Sequence, residues 1–151
     1  MIAPCCTGEL YIVGLNTDIN GMASWEASNC GWEGVLSFDM SDEVFLKTPL
    51  PDEVLNDSVR HFFLLNESIA MAVTIFLDDG MRHGRLLVSF DIWMLLEVGV
   101  KESWTKLFSI GPFPEYIDRP LGFWKSGIMF LTKSDGQLVM YNPSTKQMTD
   151  H

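Results

Sequence analysis

The sequence contains three hexapeptides of one pattern: VLSFDM at residues 35–40, LVSFDI at 87–92 and LVMYNP at 138–143. In each copy an aromatic residue is followed at once by Asp or Asn, and these acidic or amide positions, 39, 91 and 142, are 52 and 51 residues apart. Asp and Asn often end a strand, because their side chains bond the backbone just beyond them. A period of about 50 residues is typical of propeller blades and related repeats. The pattern therefore predicts a repeated β-structure.

Short runs of β-branched and aromatic residues, separated by turn residues, extend this pattern along the chain. Asn20-Gly21 and Asp135-Gly136 are the strongest hairpin signals. We expect an all-β fold of antiparallel repeated strands, similar to part of a kelch or β-propeller array, with about three blade-like units. We also expect a loop at 29–34, a strand at 103–108 that stops at Gly111-Pro112, and a chain that ends before its last strand is complete.

Length and composition suit one globular domain, which we place at residues 1–151 and expect to be incomplete. The chain is 47% hydrophobic and 20% charged, which argues against disorder. Its apolar stretches are interrupted well before the ~20 residues that a membrane span needs. The first residues do not resemble a signal peptide, and the three cysteines form no disulfide pattern. We therefore predict an intracellular protein, cytoplasmic or nuclear, with no membrane partner.

The net charge of −10 bears on the kind of partner. Proteins that bind nucleic acids usually carry a basic surface, so no nucleic-acid partner is expected. A basic protein would be attracted to such a chain, although negative charge also serves solubility alone.

The sequence offers no set of residues for catalysis, metal binding or a cofactor. His61, His83 and His151 are widely separated, and no phosphate loop, nucleophile elbow or zinc motif occurs. Asp39 and Asp91 recur at one repeat position, which favours turn formation over a catalytic pair. We expect a protein that is not an enzyme and has no cofactor.

Several segments resemble the F-box-associated (FBA) domain of plant F-box proteins. They occur in the family's order over residues 20–147: NG at 20–21 with Trp25, VLSFDMSDEVF at 35–45, TPLP at 48–51, NESIA at 66–70, DIWM at 91–94, GVKESWTKL at 99–107, PLGFWK at 120–125 and DGQLVMYNPSTK at 135–146. The segment at 99–107 is the most specific of them. The pattern is most similar to the S-locus F-box and S-locus-F-box-like branch. Ser24 departs from it, because the family commonly has His before the tryptophan.

The resemblance implies a β-propeller-like domain that recognises the target of an SCF-type ubiquitin-protein ligase, in ubiquitin-dependent protein degradation. The pollen S-locus members act in self-incompatibility and recognise S-ribonucleases, which are basic, so a basic, S-ribonuclease-like target is implied. In this family an N-terminal F-box binds the Skp adaptor and, through it, the cullin. We find no F-box motif in these 151 residues, so we expect those two partners only if the full-length protein has one.

The matched motifs are mostly strands and do not identify target contacts. Loops between rigid strands commonly carry binding residues, which points to two charged segments. The candidate partner-binding residues are Asp78, Asp79, Arg82, His83, Arg85, Glu115, Asp118 and Arg119. The alternative for both segments is that they are solvated turns.

Two other interpretations remain open for the whole chain. One is a truncated product of the F-box family with no ligase role. The other is a small β-scaffold that binds a ligand in the manner of a lectin, for which Asp39, Asp91 and Trp124 would be the residues to test.

Overall fold

The three hexapeptides lie in three strands that occupy equivalent places in the fold. In the computed structural model, which describes residues 11–19, 21–29, 32–55, 58–78, 86–123 and 127–150, twelve strands form three sheets. The strands are β1 (Tyr11–Ile19), β2 (Met22–Asn29), β3 (Trp32–Asp39), β4 (Val44–Pro49), β5 (Arg60–Leu65), β6 (Ser68–Asp78), β7 (Leu86–Leu95), β8 (Trp104–Pro114), β9 (Ile117–Phe123), β10 (Met129–Lys133), β11 (Leu138–Asn142) and β12 (Gln147–Asp150). A short 3₁₀ helix, Lys101–Ser103, precedes β8.

Each sheet has four strands, and its order follows the chain: β1-β2-β3-β4, β5-β6-β7-β8 and β9-β10-β11-β12. The pairs whose register is defined are antiparallel. The hexapeptides fall in β3, β7 and β11, the third strand of each sheet. The prediction of an all-β fold built from three blade-like units is therefore confirmed, and the sequence period corresponds to one sheet.

The described residues form two compact units. The first unit, within residues 1–57 and 95–105, holds the sheet β1–β4 and the connection between β7 and β8. The second unit, within residues 58–94 and 106–151, holds the other two sheets. Apolar side chains from both of those sheets build one core in the second unit; they include Phe90, Ile92, Phe113, Met129 and Tyr141.

Asp39 and Asn142 end their strands as predicted. Asp39 Oδ1 accepts hydrogen bonds from the backbone N–H groups of Ser41 and Asp42 at 2.9 and 3.2 Å. Asn142 Oδ1 accepts in the same way from Ser144 and Thr145 at 2.9 and 3.4 Å.

The same expectation is wrong for Asp91. This residue lies inside β7, which continues to Leu95. Its carboxylate accepts a hydrogen bond from Ser109 Oγ at 2.5 Å and pairs with Lys106 at 3.4 Å. The Asp91 side chain contacts the neighbouring strand β8 rather than the backbone just beyond it, and β7 continues.

The predicted loop at 29–34 is also wrong in its extent, because β2 reaches Asn29 and β3 begins at Trp32. Gly34 lies inside β3 for a reason other than a turn. A Cβ atom at this position would be 2.1 Å from the backbone oxygen of Thr48 on β4. The glycine therefore permits a close approach of two strands, a role that glycine also has inside sheets.

Two further strand ends differ from expectation. β8 continues through Gly111-Pro112 to Pro114, which is possible because β8 is the last strand in its sheet and proline needs no ladder donor on an outer side. The third sheet has its fourth strand, β12, which pairs with β11 from Asn142↔Gln147 to Val139↔Asp150. The expectation of an incomplete last strand is wrong, since four residues suffice for this pairing.

Candidate functional site

The first of the two segments predicted to bind a partner, residues 78–85, lies largely outside the described residues. Asp78 is the last residue of β6, and only its backbone is described. Asp79, Arg82, His83 and Arg85 lie outside the described part of the chain. Their role in binding a partner therefore stays a prediction.

The second predicted segment, residues 115–119, lies where the chain passes from β8 to β9 and so joins the two sheets of the second unit. Glu115 is exposed in the turn between β8 and β9, but the expected loop ends there, because Asp118 and Arg119 are exposed on strand β9 itself. The register of β9 against β10 shifts twice, between Ile117 and Arg119 and between Pro120 and Gly122. Such bulges redirect side chains out of the regular alternation. The first bulge explains why Asp118 and Arg119, which are neighbours in sequence, are both exposed.

Arg119 brings a residue of another strand, His61, to this segment. Its Nη1 lies 3.5 Å from Nδ1 of His61 on β5, and its Nε lies 4.0 Å from Asp118 Oδ2. Burial and the nearby guanidinium of Arg119 lower the pKa of His61, while Asp118 opposes this with a smaller effect. The segment thus brings the exposed Arg119 and Asp118 beside the half-buried His61.

The turn that carries Glu115 is braced by the hairpin between β10 and β11. The backbone N–H and the hydroxyl of Ser134 both donate to the carbonyl oxygen of Tyr116, at 2.7 and 3.1 Å. Lys133 Nζ lies 5.7 Å from the centre of the Tyr116 ring and 3.2 Å from Asp150 Oδ2. These contacts order the turn before β9 against the neighbouring hairpin.

A second candidate site, which the sequence did not reveal, is a pocket in the first unit. It has a volume of about 210 Å³ and lies where β3 begins and β4 ends. Five of the residues around it are apolar or aromatic and three are charged, and most of the surface that lines the pocket is polar. The lining residues are Trp32, Glu33, Pro49, Leu50, Pro51, Asp52, Val54 and Lys101.

Two of the charged groups at this pocket interact directly. Lys101 Nζ donates to Asp52 Oδ1 at 3.0 Å, and this hydrogen bond is the main cause that raises the pKa of Lys101. A further lysine, Lys47, places its Nζ 5.7 Å from the centre of the Trp32 ring. Both a carboxylate and an aromatic face at this pocket thus attract cations of the chain itself.

The pocket is fixed by backbone and side-chain bonds within the first unit. The amide of Leu50 donates to the carbonyl of Glu33 at 3.3 Å, and the amide of Val54 donates to that of Pro51 at 3.0 Å. The indole N–H of Trp104 donates to the carbonyl of Pro49 at 2.8 Å. In the sequence, Pro49-Leu50-Pro51 indicated only the end of a strand. The local sequence signal for a binding pocket here is weak: at two places an acidic residue directly follows an apolar one, Glu33 after Trp32 and Asp52 after Pro51.

Chemistry of other kinds has little support in the described residues. No group of three or more His, Cys, Asp or Glu side chains there could hold a metal ion. Within the same residues, none of the helices is long and apolar enough to cross a bilayer. The two repeated carboxylates have separate structural roles, since Asp39 bonds a turn and Asp91 bonds β8.

A comparison with curated proteins finds a significant relative. Over 135 aligned residues the chain is 33% identical to F-box protein At3g07870 of Arabidopsis thaliana. The chain is homologous to part of an F-box protein. The alignment covers 76% of this chain and 30% of the relative, so the chain spans less than a third of that F-box protein's length. No protein-family model matches the chain, and no solved structure matches it significantly.

The homology is to one part of an F-box protein. The resemblance to the FBA domain and to the S-locus branch remains a prediction, since the relative's name specifies neither of them.

Proposed function

We propose that this chain is the target-recognition part of an F-box protein and that it binds a protein substrate for an SCF-type ubiquitin ligase. The observation that carries the proposal is the 33% identity to part of an F-box protein. The fold agrees with it, because repeated four-stranded antiparallel sheets are the units of β-propellers, which are common interaction scaffolds. The FBA-like motifs of residues 20–147 add the expectation that the chain carries the recognition function.

In this proposal the chain performs no covalent chemistry. The Skp adaptor and the cullin would bind an F-box elsewhere in the full-length protein, and ubiquitin transfer would belong to other subunits. The protein would act inside the cell, in the cytoplasm or the nucleus. A basic target is favoured by the net charge of −10, and an S-ribonuclease-like protein is the finer proposal that the S-locus resemblance suggests.

The exposed edge around Arg119 is the first surface to test for target contact. It carries both signs of charge, and it lies on an outer strand of its sheet. Charged groups on such a surface contribute to the rate of association and to the choice of partner. A reversal of charge at Asp118 should therefore weaken binding of the target without unfolding the chain.

The experiment uses two baits: the 151-residue chain, and the same chain fused behind an F-box from another protein. Each bait is incubated with plant extract and with purified Skp adaptor. We expect both baits to retain the same protein, only the fusion to retain the adaptor, and the reconstituted ligase to ubiquitinate the retained protein. Asp118→Lys should reduce retention, while Asp135→Lys, a matched change at an exposed turn of the same sheet, should not.

Two results would contradict the proposal. One is that neither bait retains a protein although both are folded by circular dichroism. The other is that the retained protein is not ubiquitinated when the fusion is assembled with adaptor and cullin.

A further inference from the structure

We propose that the pocket beside Trp32 binds an arginine side chain that a partner protein presents. The inference rests on the proposed function, since it assumes that the chain recognises proteins, and it adds the chemistry of one contact. The pocket belongs entirely to the first unit, so it is a different surface from the edge around Arg119.

The size of the pocket favours one side chain over a free ligand. Sites for drug-sized molecules enclose roughly 300–1,000 Å³. The pocket here has a volume of about 210 Å³ and opens to solvent next to Asp52, whose side chain is 82% exposed. A partner could therefore insert a long side chain while its backbone remains outside.

The lining favours a cation with a flat, partly apolar body. Trp32 offers an aromatic face, and indole is the best of the aromatic side chains for attracting a cation. Asp52 adds an exposed carboxylate at the mouth of the pocket, and the mostly polar lining suits the charged head of a long side chain better than a purely apolar one. Arginine combines these features better than lysine, because its planar guanidinium stacks on rings and bonds carboxylates in pairs.

The chain's own lysines demonstrate the same preference. Lys47 lies over the Trp32 ring and Lys101 bonds Asp52 at 3.0 Å. Both are surface contacts, which contribute little to stability and can be exchanged for contacts with a partner. An incoming guanidinium would either share Asp52 with Lys101 or displace Lys101 from it. The net charge of −10 adds a general attraction for a basic partner.

The backbone around the pocket is already ordered, which lowers the cost of binding. Pro51, Leu50 and Val54 are buried; the amide of Leu50 is bonded to Glu33 on β3, and that of Val54 is bonded within the turn. A pre-formed site loses little conformational entropy when a ligand enters.

The test is an NMR titration of the full 151-residue chain with the capped peptide acetyl-Gly-Arg-Gly-amide. The signal is the indole N–H resonance of Trp32. The reference peptide replaces arginine with citrulline, which has almost the same shape and no charge. We expect a saturable shift with the arginine peptide and a response at least several-fold weaker with the citrulline peptide.

Three variants assign the contact. Asp52→Asn should weaken binding about three- to fivefold, which is the order of one exposed charge contact. Glu53→Gln is the matched control, because it removes the same charge one residue away and Glu53 is exposed and does not line the pocket. Lys101→Gln should strengthen binding about two- to threefold, since it frees Asp52.

The proposal is overturned if Trp32 does not respond to the arginine peptide, if citrulline gives an equal response, or if Glu53→Gln weakens binding as much as Asp52→Asn. Its failure can be told apart from failure of the proposed function. Retention and ubiquitination of a target by the wild-type fusion, with no response at Trp32, would refute the pocket and leave the recognition function standing. A response at Trp32 without any retained target would refute the recognition function and leave the arginine pocket standing.

Discussion

The two units of this chain contain the same kind of four-stranded sheet but bury different kinds of side chain. Among the largest fully buried side chains of the described residues, those of the second unit are all apolar, for example Phe90, Ile92 and Met129. In the first unit they are Val35, Ser24, Ser37 and Thr48, of which three carry a hydroxyl. Four-stranded sheets can thus be stabilised by apolar burial in one place and by paired hydroxyl groups in another.

The hydroxyl groups of the first unit have defined partners. Ser24 on β2 lies directly opposite Ser37 on β3, and their Oγ atoms are 2.7 Å apart. Thr48 Oγ1 accepts a hydrogen bond from the amide of Gly99, in the connection before β8, at 2.7 Å. The more exposed face of this sheet carries aromatic residues instead, with the Phe38 and Phe45 rings 4.9 Å apart and Phe45 64% exposed. The usual arrangement of apolar core and polar surface is therefore partly reversed in this sheet.

The largest expected effect tests the apolar side of this comparison. Phe90→Ala in the second unit removes a fully buried ring that packs against Phe113, at 6.0 Å between ring centres. The change should lower the free energy of unfolding by about 3–5 kcal/mol, because it leaves a cavity in the core. Urea denaturation measures this change in the free energy of unfolding. Phe76→Ala, at a 58% exposed position of the same sheet, should cost less than about 0.5 kcal/mol. Equal losses would show that the core is not where the structure has it.

A second test addresses the close approach of strands in the first unit. Gly34→Ala should destabilise the chain by about 1–3 kcal/mol, since the added Cβ would meet the backbone oxygen of Thr48 and β3 and β4 must separate. Gly122→Ala is the control in the second unit, where the nearest atom would be the backbone oxygen of Leu64 at 4.0 Å. Thermal unfolding of the two variants should give a lower midpoint for Gly34→Ala. A larger loss for Gly122→Ala would contradict the packing of β3 on β4.

A third test concerns the paired hydroxyls. Ser24→Ala or Ser37→Ala alone should cost about 1–3 kcal/mol, because each leaves the other buried hydroxyl without its partner. The double variant should cost less than the sum of the two, and a double-mutant cycle by urea denaturation measures the difference. Ser109→Ala, whose hydroxyl is exposed in the second unit, should cost less than either single change. Strict additivity would mean that the two serines do not stabilise each other.

The smallest expected effect concerns the ionisable groups at the edge of the second unit. Because the pKa of His61 is lowered in the folded chain, its neutral form stabilises the fold fully above the ordinary value of 6.5, and this contribution is lost as the pH falls below it. Wild-type chain should therefore lose more stability between pH 7.5 and 5.5 than His61→Gln. By NMR titration, Arg119→Gln should raise the pKa of His61 and Asp118→Asn should lower it further. The opposite directions would refute the contact between Arg119 and His61.

The sequence predicted the class of fold because strand periodicity and turn residues are local signals. The three hexapeptides marked the third strand of each sheet, and Asp39 and Asn142 ended their strands as their side chains allow. Errors arose where a residue has a tertiary role. Gly34 and Asp91 resemble turn residues in sequence, yet one allows close packing of strands and the other bonds β8.

At the candidate sites too, the sequence indicated exposed local segments but not the contacts between distant residues. The sequence located Asp118 and Arg119 as an exposed charged segment, but it gave no sign that His61, 58 residues earlier, lies beside Arg119. It also did not reveal the pocket, whose residues come from β3, the turn after β4 and the 3₁₀ helix.

The sequence alone determined the repeat, the all-β class and those turns that a local side-chain bond closes, such as the ones after Asp39 and Asn142, because each depends on interactions between residues a few positions apart. Only the tertiary structure decided which groups meet across distant segments, such as Trp104 with Pro49 and Lys101 with Asp52. Those contacts depend on how whole strands and connections pack in three dimensions, and no local pattern of residue types encodes that arrangement.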